Sequence, residues 1–225
     1  MFVEARTLIV PPTPSAVLRS QFGEIDIYLF DQILKGRFDR RPRVMDAGVG
    51  DGRNLVYFLG HGFTCFGIDR ESAAIGRVRT LAARLAPALP AGNFQVGELD
   101  QLPWDDQSMD AVICSAVLHF ASDTSHFGRM VQEMWRVLAP DGLFFARLAS
   151  IIGLEARVGA AGQRVRLPDG TERFVVDEAM LQEWTGRLGG EWLDPLKTTN
   201  VQQQRCMTTW CLRKPGTSPR DPLWR

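Results

Sequence analysis

The run RVMDAGVGDG at residues 43–52 sets one carboxylate, Asp46, ahead of three glycines at alternate positions, Gly48, Gly50 and Gly52. Glycine has no Cβ and adopts positive φ, so a ligand can approach such a backbone closely. A helix predicted over residues 53–59 aims its free N–H groups at the same spot. About twenty residues further on, the run FTCFGID ends in a second carboxylate, Asp69, where doubly wound nucleotide-binding folds put the acid that holds a ribose.

The pattern departs from the dinucleotide fingerprint. The G-x-G-x-x-G spacing wants a glycine at position 53, and the chain has Arg53. Asp46 would also sit near a pyrophosphate and repel it. An acid there suits a ligand that carries an ammonium group. S-adenosylmethionine has an α-amino group, a carboxylate, a ribose diol and an adenine, and no phosphate. The turn and both acids together point to that ligand. Taken singly, Asp46 also reads as a helix cap, Asp69 as a turn residue closing a strand, and Arg53 as a solvent-facing residue of the first helical turn.

The elements that must position these groups alternate. Phe22, Ile25, Leu29 and Ile33 recur at helical spacing and predict a first helix over residues 21–35. Before it, Pro11, Pro12 and Pro14 mark residues 1–20 as an irregular N-terminal arm. Strands are expected at 43–47, 63–68, 93–96, 109–114 and 143–149, with helices at 53–59, 71–86 and 126–138. Such alternation implies a parallel sheet with right-handed crossovers. The turn Ala139-Pro140-Asp141-Gly142 ends the third of those helices, with glycine expected in the left-handed conformation. Pro168-Asp169-Gly170 then marks a hairpin within an insertion at about 151–176. A helix at 177–188, ended by Gly189-Gly190, and strands at 196–201 and 206–213 complete one domain over 21–213. Residues 214–225 read as a loose tail.

Bulk properties narrow the function classes. The 225 residues are 45% hydrophobic and 23% charged, with 26 basic against 26 acidic side chains. A general nucleic-acid binder needs a basic excess, so that class is disfavoured. Cys65, Cys114, Cys206 and Cys211 form no C-x-x-C pair and lie in or beside apolar runs, as free thiols in a reducing compartment do. His61, His119 and His126 show no ligand spacing, so no metal site is expected. Glu4 and Arg6 interrupt the first apolar stretch and argue against a secretory leader. No apolar run reaches the length of a membrane span. A cytoplasmic location is expected.

The chain resembles the class I S-adenosylmethionine-dependent methyltransferases over residues 21–213. VMDAGVGDG is similar to that family's first motif, and Asp69 matches its ribose-binding acid. VGELDQLPWDDQSMDAVICSAVLHF resembles its adenine region and fourth strand, and EMWRVLAPDGLFFARL its following helix and fifth strand. The resemblance implies a Rossmann-like, doubly wound α/β fold. Its seven-stranded sheet is mostly parallel with an antiparallel C-terminal strand, helices cover both faces, and an extra hairpin follows strand five. It also implies that Asp46, Gly48, Gly50, Gly52, Asn54, Asp69, Arg70, Glu98, Leu99 and Ser115 hold the cofactor, Glu98 and Leu99 at the adenine edge and Ser115 with Ala116 beside the methionine portion. Gly52-Arg53-Asn54 is similar to the tellurite-resistance and thiopurine type of small-molecule methyltransferases.

Two residues are candidates for the chemistry itself. His119 lies just past strand four, where catalytic groups collect in open α/β sheets, and an unperturbed imidazole titrates near neutral pH. Arg147, near the end of strand five, faces either a substrate anion or an internal carboxylate. Cys114 and Met134 read as core, and Trp104 and Trp135 as apolar fillers. Residues 1–35 and 151–176 lie outside the βα core and are the candidate substrate cover. The leading expectation is methyl transfer to a small-molecule acceptor. A nicotinamide-dependent oxidoreductase and a cofactor-binding protein without catalysis are the alternatives. No Asn-Pro-Pro-Tyr motif follows strand four, where Ser115-Ala116-Val117-Leu118 stands. Oligomeric state is not legible.

Overall fold

The structure, a computed structural model, describes residues 13–216. Alternate residues of β1 (Arg43–Ala47) face opposite sides of the sheet, as the two-residue period of a strand requires. Met45 and Ala47 pack on one face with Val112 and Cys114 of β4 (Met109–Ser115) and with Phe144 and Ala146 of β5 (Leu138–Ser150). Val44 packs on the other with Ala111, Ile113 and Phe145. Burial on both faces explains why these strands are almost wholly apolar.

The remaining strands are β2 (Thr64–Asp69), β3 (Phe94–Val96), β6 (Gln163–Arg166), β7 (Glu172–Val175), β8 (Glu191–Trp192), β9 (Lys197–Val201) and β10 (Arg205–Arg213). The main sheet runs in the order β3-β2-β1-β4-β5-β10-β8, with β9 also paired to β10. Strands β1 to β5 pair in parallel. β10 runs antiparallel to β5, from Cys206 opposite Ser150 to Arg213 opposite Leu143. The expected doubly wound sheet with an antiparallel last strand is therefore present, and β9 makes it eight-stranded. β8, two residues long, is too short to leave a periodic signal. β6 and β7 form the expected hairpin after strand five.

Helices cover both faces. α5 (Thr124–Val137) lays Phe127, Met130, Val131 and Met134 against the Met45 face, at the i, i+3, i+4, i+7 spacing of one helical stripe. Each such side chain, fully buried, stabilises the fold by about 1.5–3 kcal/mol. α6 (Glu155–Val158) is a single turn after β5, and α7 (Glu178–Leu188) adds Leu181 and Trp184 to that layer. The Val44 face is covered by Leu29 of α2 (Ile27–Leu34), Phe58 and Leu59 of α3 (Val56–Gly60), and Ile75 and Val78 of α4 (Ser72–Leu85). Among the described residues, no helix is long and apolar enough to cross a membrane.

Four expectations need correction. The first predicted helix is two: α1 (Pro14–Phe22) stops at Gly23, whose φ is 62°, and α2 restarts after Asp26, whose carboxylate accepts from Tyr28 N at 2.9 Å. Residues 14–20 are thus helical rather than irregular, with Thr13 capping α1 and Pro14 in its first turn; residues 1–12 lie outside the described residues. The helix after the glycine turn begins at Val56, not Arg53, so its first N–H groups do not point into the turn. Residues 139–142, expected as a turn, lie within β5, which starts at Leu138 rather than 143, and there it is Asp141 that is left-handed, at φ 62°, a conformation aspartate tolerates. Gly142 is there for space, since a Cβ would lie 2.5 Å from Leu138 Cδ1 and 2.7 Å from Ala139 O. Finally, Lys214 is fixed. Its N–H donates to Gly142 O at 3.0 Å, and its carbonyl accepts from Asp141 N at 2.8 Å. The rest of the predicted tail from 217 on lies outside the described residues.

Candidate functional site

The C-terminal ends of β1, β2 and β4 converge on a cavity of about 410 Å³, walled by Gly48, Asp69-Arg70-Glu71, Glu98-Leu99 and Ser115-Ala116-Val117. Phe120, His126 and Met130 close its far side and Arg53 one edge. The glycine turn is pinned to β2: the N–H groups of Gly48 and Val49 both donate to Ile68 O, at 2.8 and 2.9 Å. Asp69 is held in turn. Its Oδ2 accepts from Gly50 N at 2.9 Å and its Oδ1 from Glu71 N at 3.0 Å. Two backbone donors fix the carboxylate at the cavity wall without neutralising its charge.

Asp46 faces the other way from Met45 and is 1% exposed, beneath the turn. Neither carboxylate oxygen has a hydrogen-bond partner. Burial pushes its carboxyl up to about 7, and the Asp69 charge raises it further, while the Arg53 charge and the neighbouring Asn54 amide pull down. A buried, unpartnered acid is costly. A cation placed nearby relieves that cost.

A polar network ties the N-terminal segment to this site. Asp26, 5% exposed, accepts from Ser115 Oγ at 2.9 Å and lies 3.4 Å from Arg147 Nη1. Asn54 is buried, and its Oδ1 accepts from Asp26 N at 3.1 Å. Arg53 Nη2 donates to Ser115 Oγ at 3.2 Å and its Nη1 to Glu24 O at 3.2 Å. The Arg147 guanidinium lies 5.1 Å from the centre of the Tyr28 ring. Arg53 is exposed, as the sequence reading has it, and also links the segment between α1 and α2 to the end of β4.

A second cavity of about 390 Å³ adjoins the first, and Ala116 and Phe120 line both. Ala116 has φ 65°, a left-handed conformation rare for a residue with a Cβ, and its N–H donates to Arg147 O at 2.7 Å. Outliers of this kind concentrate at ligand sites. His119 and Arg147 lie in the wall of this second cavity, beneath the β6–β7 hairpin residues Asp169, Thr171 and Arg173.

Residues 45–146 match the family model described as "Methyltransferase domain". The fold is that of a class I S-adenosylmethionine-dependent methyltransferase. Two Bacillus subtilis proteins named as uncharacterised methyltransferases, YcgJ and YodH, are 30% and 32% identical over 102 and 114 residues. These matches cover 45% and 50% of this chain but only 38% and 42% of those relatives. The crystal structure of 1,6-didemethyltoxoflavin-N1-methyltransferase from Burkholderia thailandensis, with 1,6-didemethyltoxoflavin and S-adenosylhomocysteine bound, superposes with a TM-score of 0.65. It is 18% identical, and the match covers 96% of this chain and 99% of that one.

On this methyltransferase fold, Gly48, Asp69, Arg70, Glu98, Leu99 and Ser115 stand at the first cavity. Asp46, Gly50, Gly52 and Asn54 stand outside its wall. Gly52 serves packing instead, since a Cβ there would lie 2.8 Å from Val78 Cγ2 and 2.9 Å from Leu81 Cδ2 of α4. Cys114 and Met134 are fully buried core residues, and Trp104 packs edge-on against Phe66 with ring centres 5.9 Å apart. His119 is 6% exposed, its Nδ1 has no partner, and burial, aided by the Arg173 charge, pushes its imidazole down to about 4. The expectation of a group titrating near neutrality fails for that reason. Asp26, Glu71, Phe120, His126 and Met130 are additions of the structure. Of these only Asp26 had a local signal, the cap position before an apolar helix.

Proposed function

We propose that the chain binds S-adenosylmethionine in the first cavity and transfers its methyl group to a small-molecule acceptor held in the second. The observation that carries this is Asp46, a buried carboxylate with both oxygens unpartnered beneath the glycine turn and in electrostatic contact with Asp69. Two like charges so placed disfavour a phosphate-bearing nucleotide and favour a cationic ligand. When bound, the cofactor supplies a methyl group on a sulfonium, which an in-line nucleophile takes as the carbon–sulfur electron pair returns to sulfur. In this reading Asp69 holds the ribose diol, Glu98 and the Leu99 N–H the adenine edge, and Ser115 and Ala116 the methionine portion.

The protein's own contribution is alignment and exclusion of water. Fixing nucleophile and methyl group in line supplies roughly 7–11 kcal/mol of barrier reduction without a covalent intermediate. Phe120, shared by both cavities, screens the junction. His119, neutral at physiological pH, orients the acceptor by hydrogen bonding rather than acting as a strong base. Four buried free thiols support a reducing, cytoplasmic setting, and the balanced charge supports a small-molecule rather than a nucleic-acid substrate. Calorimetry with S-adenosylhomocysteine and with NAD tests the cofactor: binding of the former alone is expected, and binding of NAD alone would sink the reading. Mass spectrometry of a metabolite extract incubated with methyl-labelled cofactor then identifies the acceptor.

A further inference from the structure

The second cavity has a charge pattern that the cofactor does not explain. Three guanidinium groups, those of Arg147, Arg173 and Arg205, lie at its wall, against one carboxylate, Asp169. That carboxylate is engaged in its own turn, accepting from Thr171 N at 2.9 Å and Thr171 Oγ1 at 2.6 Å. Among the described residues, no carboxylate lies within ion-pair distance of Arg173 or Arg205, although both act on Asp169 at longer range. Arg173 instead sits 5.0 Å from the centre of the Phe120 ring. Arg147 has Asp26 on one side, yet its Nε is buried without a partner. Apart from His119 and Thr171, the rest of the wall is largely apolar, with Leu167, Val201, Met207 and Ala149.

We infer that the second cavity takes a small organic acid, an apolar body bearing a carboxylate or phosphate, as the methyl acceptor. This rests on the cofactor reading above and names the substrate class of the same site. Guanidinium groups recruit such anions through charge-assisted, often paired hydrogen bonds. A cavity of about 390 Å³ holds a small molecule and not a polymer segment. The arginines of the hairpin and of β10 are absent from the wall of the first cavity, whereas Ala116 and Phe120 belong to both. The anionic group is thus the handle, and a separate nucleophile on the same molecule reaches past Ala116 to the methyl group. The unpartnered Nδ1 of His119 accepts from a hydroxyl or N–H of that molecule.

The test uses the full chain saturated with S-adenosylhomocysteine and three probes of similar shape: salicylate, phenyl phosphate and the neutral salicylamide. Calorimetry is expected to show at least one of the two anions binding at least tenfold tighter than the amide. Which anion binds better separates a carboxylate from a phosphate handle. The double variant Arg173→Gln/Arg205→Gln, altering a half-buried and an exposed side chain, is expected to lose that tenfold preference. Its affinity for salicylamide and S-adenosylhomocysteine is expected to stay unchanged. Equal or tighter binding of the amide overturns the inference, as does no binding of either anion at millimolar concentration. Should S-adenosylhomocysteine itself fail to bind, the cofactor reading falls. The anion series on the free protein then still decides the charge preference of this cavity.

Discussion

Ser115 Oγ donates to Asp26 Oδ2 at 2.9 Å, joining the end of β4 to the cap of α2 across 89 residues of sequence. The same carboxylate accepts from Tyr28 N at 2.9 Å and lies 3.4 Å from Arg147. One buried acid therefore ties the start of α2 to Ser115 of β4 and Arg147 of β5. Asp26→Ala removes the cap, worth about 1 kcal/mol, and leaves Arg147 without its partner, a change of about 3–5 kcal/mol for a buried pair. Urea unfolding is expected to show a total loss of at least 3 kcal/mol. Asp26→Asn, which keeps the cap but not the charge, should lose less than Asp26→Ala by about the 1 kcal/mol of the cap. Two variants indistinguishable from the parent would mean that the network does not bear on stability.

Asp46 sets stability against binding. Its folded carboxyl titrates near 7, well above the value of about 3.9 for an unfolded aspartate. The folded state therefore holds the proton more tightly, and this contribution to stability is present below pH 4 and lost as pH rises through about 7. Asp46→Asn should match the parent in acid and exceed it above pH 7 by roughly 2–4 kcal/mol. The same variant should bind S-adenosylhomocysteine at least tenfold more weakly. Thermal scans across pH together with calorimetry check both halves, and a variant no more stable than the parent at pH 8 would contradict the first.

Asp69 keeps two backbone donors and still faces the first cavity. Losing a charge-assisted hydrogen bond to the ribose costs about 1.5–3 kcal/mol, so Asp69→Ala should weaken S-adenosylhomocysteine binding by about tenfold or more. Isothermal calorimetry gives the answer directly. Affinity within a factor of two of the parent would remove Asp69 from the site.

The strands were legible because burial on both faces leaves apolar runs that punctuation delimits; β1 begins and ends where its residues say. The glycine turn and both acids were legible because their spacing is local. What escaped was non-local. Nothing near Asp26 in sequence announces that Ser115 and Arg147 will meet its carboxylate, and nothing near Arg53 announces a strut to Ser115. The break between α1 and α2 carried its own signals, Gly23 and Asp26, but the apolar periodicity runs through them and masks the stop. His119 was placed correctly past β4, whereas its burial, which decides its titration, depends on a hairpin some fifty residues later.

The three glycines of the turn make different demands. Gly50, at φ 51°, has nothing within 4 Å of the position of a Cβ, whereas Gly52, at φ 79°, has Val78 and Leu81 of α4 within 3 Å. Gly50→Ala should cost only the left-handed strain of about 1–2 kcal/mol. Gly52→Ala adds a collision with the Val78 and Leu81 side chains of α4, costing about 1–3 kcal/mol more by analogy with overpacked cores. Denaturant midpoints of the two variants should therefore differ clearly, with Gly52→Ala the lower. The reverse order would mean that the turn, not α4, sets the constraint.

His119 makes a pH dependence of opposite sign to that of Asp46. Its folded imidazole is pushed down to about 4 from an ordinary value of about 6.5, because burial and the Arg173 charge both disfavour the cation. Between those values the unfolded chain binds a proton that the folded protein refuses. The stability it contributes is complete above pH 6.5 and is lost as pH falls through about 4, up to roughly 3 kcal/mol in all. Asp46 gains over much of the same window, so the parent's own profile stays shallow. The difference between parent and His119→Gln separates them, since glutamine carries no titrating proton. That difference should grow with pH from 4 to 6.5 and stay level above it, whatever constant offset the substitution brings. Chemical unfolding at half-unit pH steps measures it, and a difference that is flat throughout would show that the imidazole is protonated alike in both states.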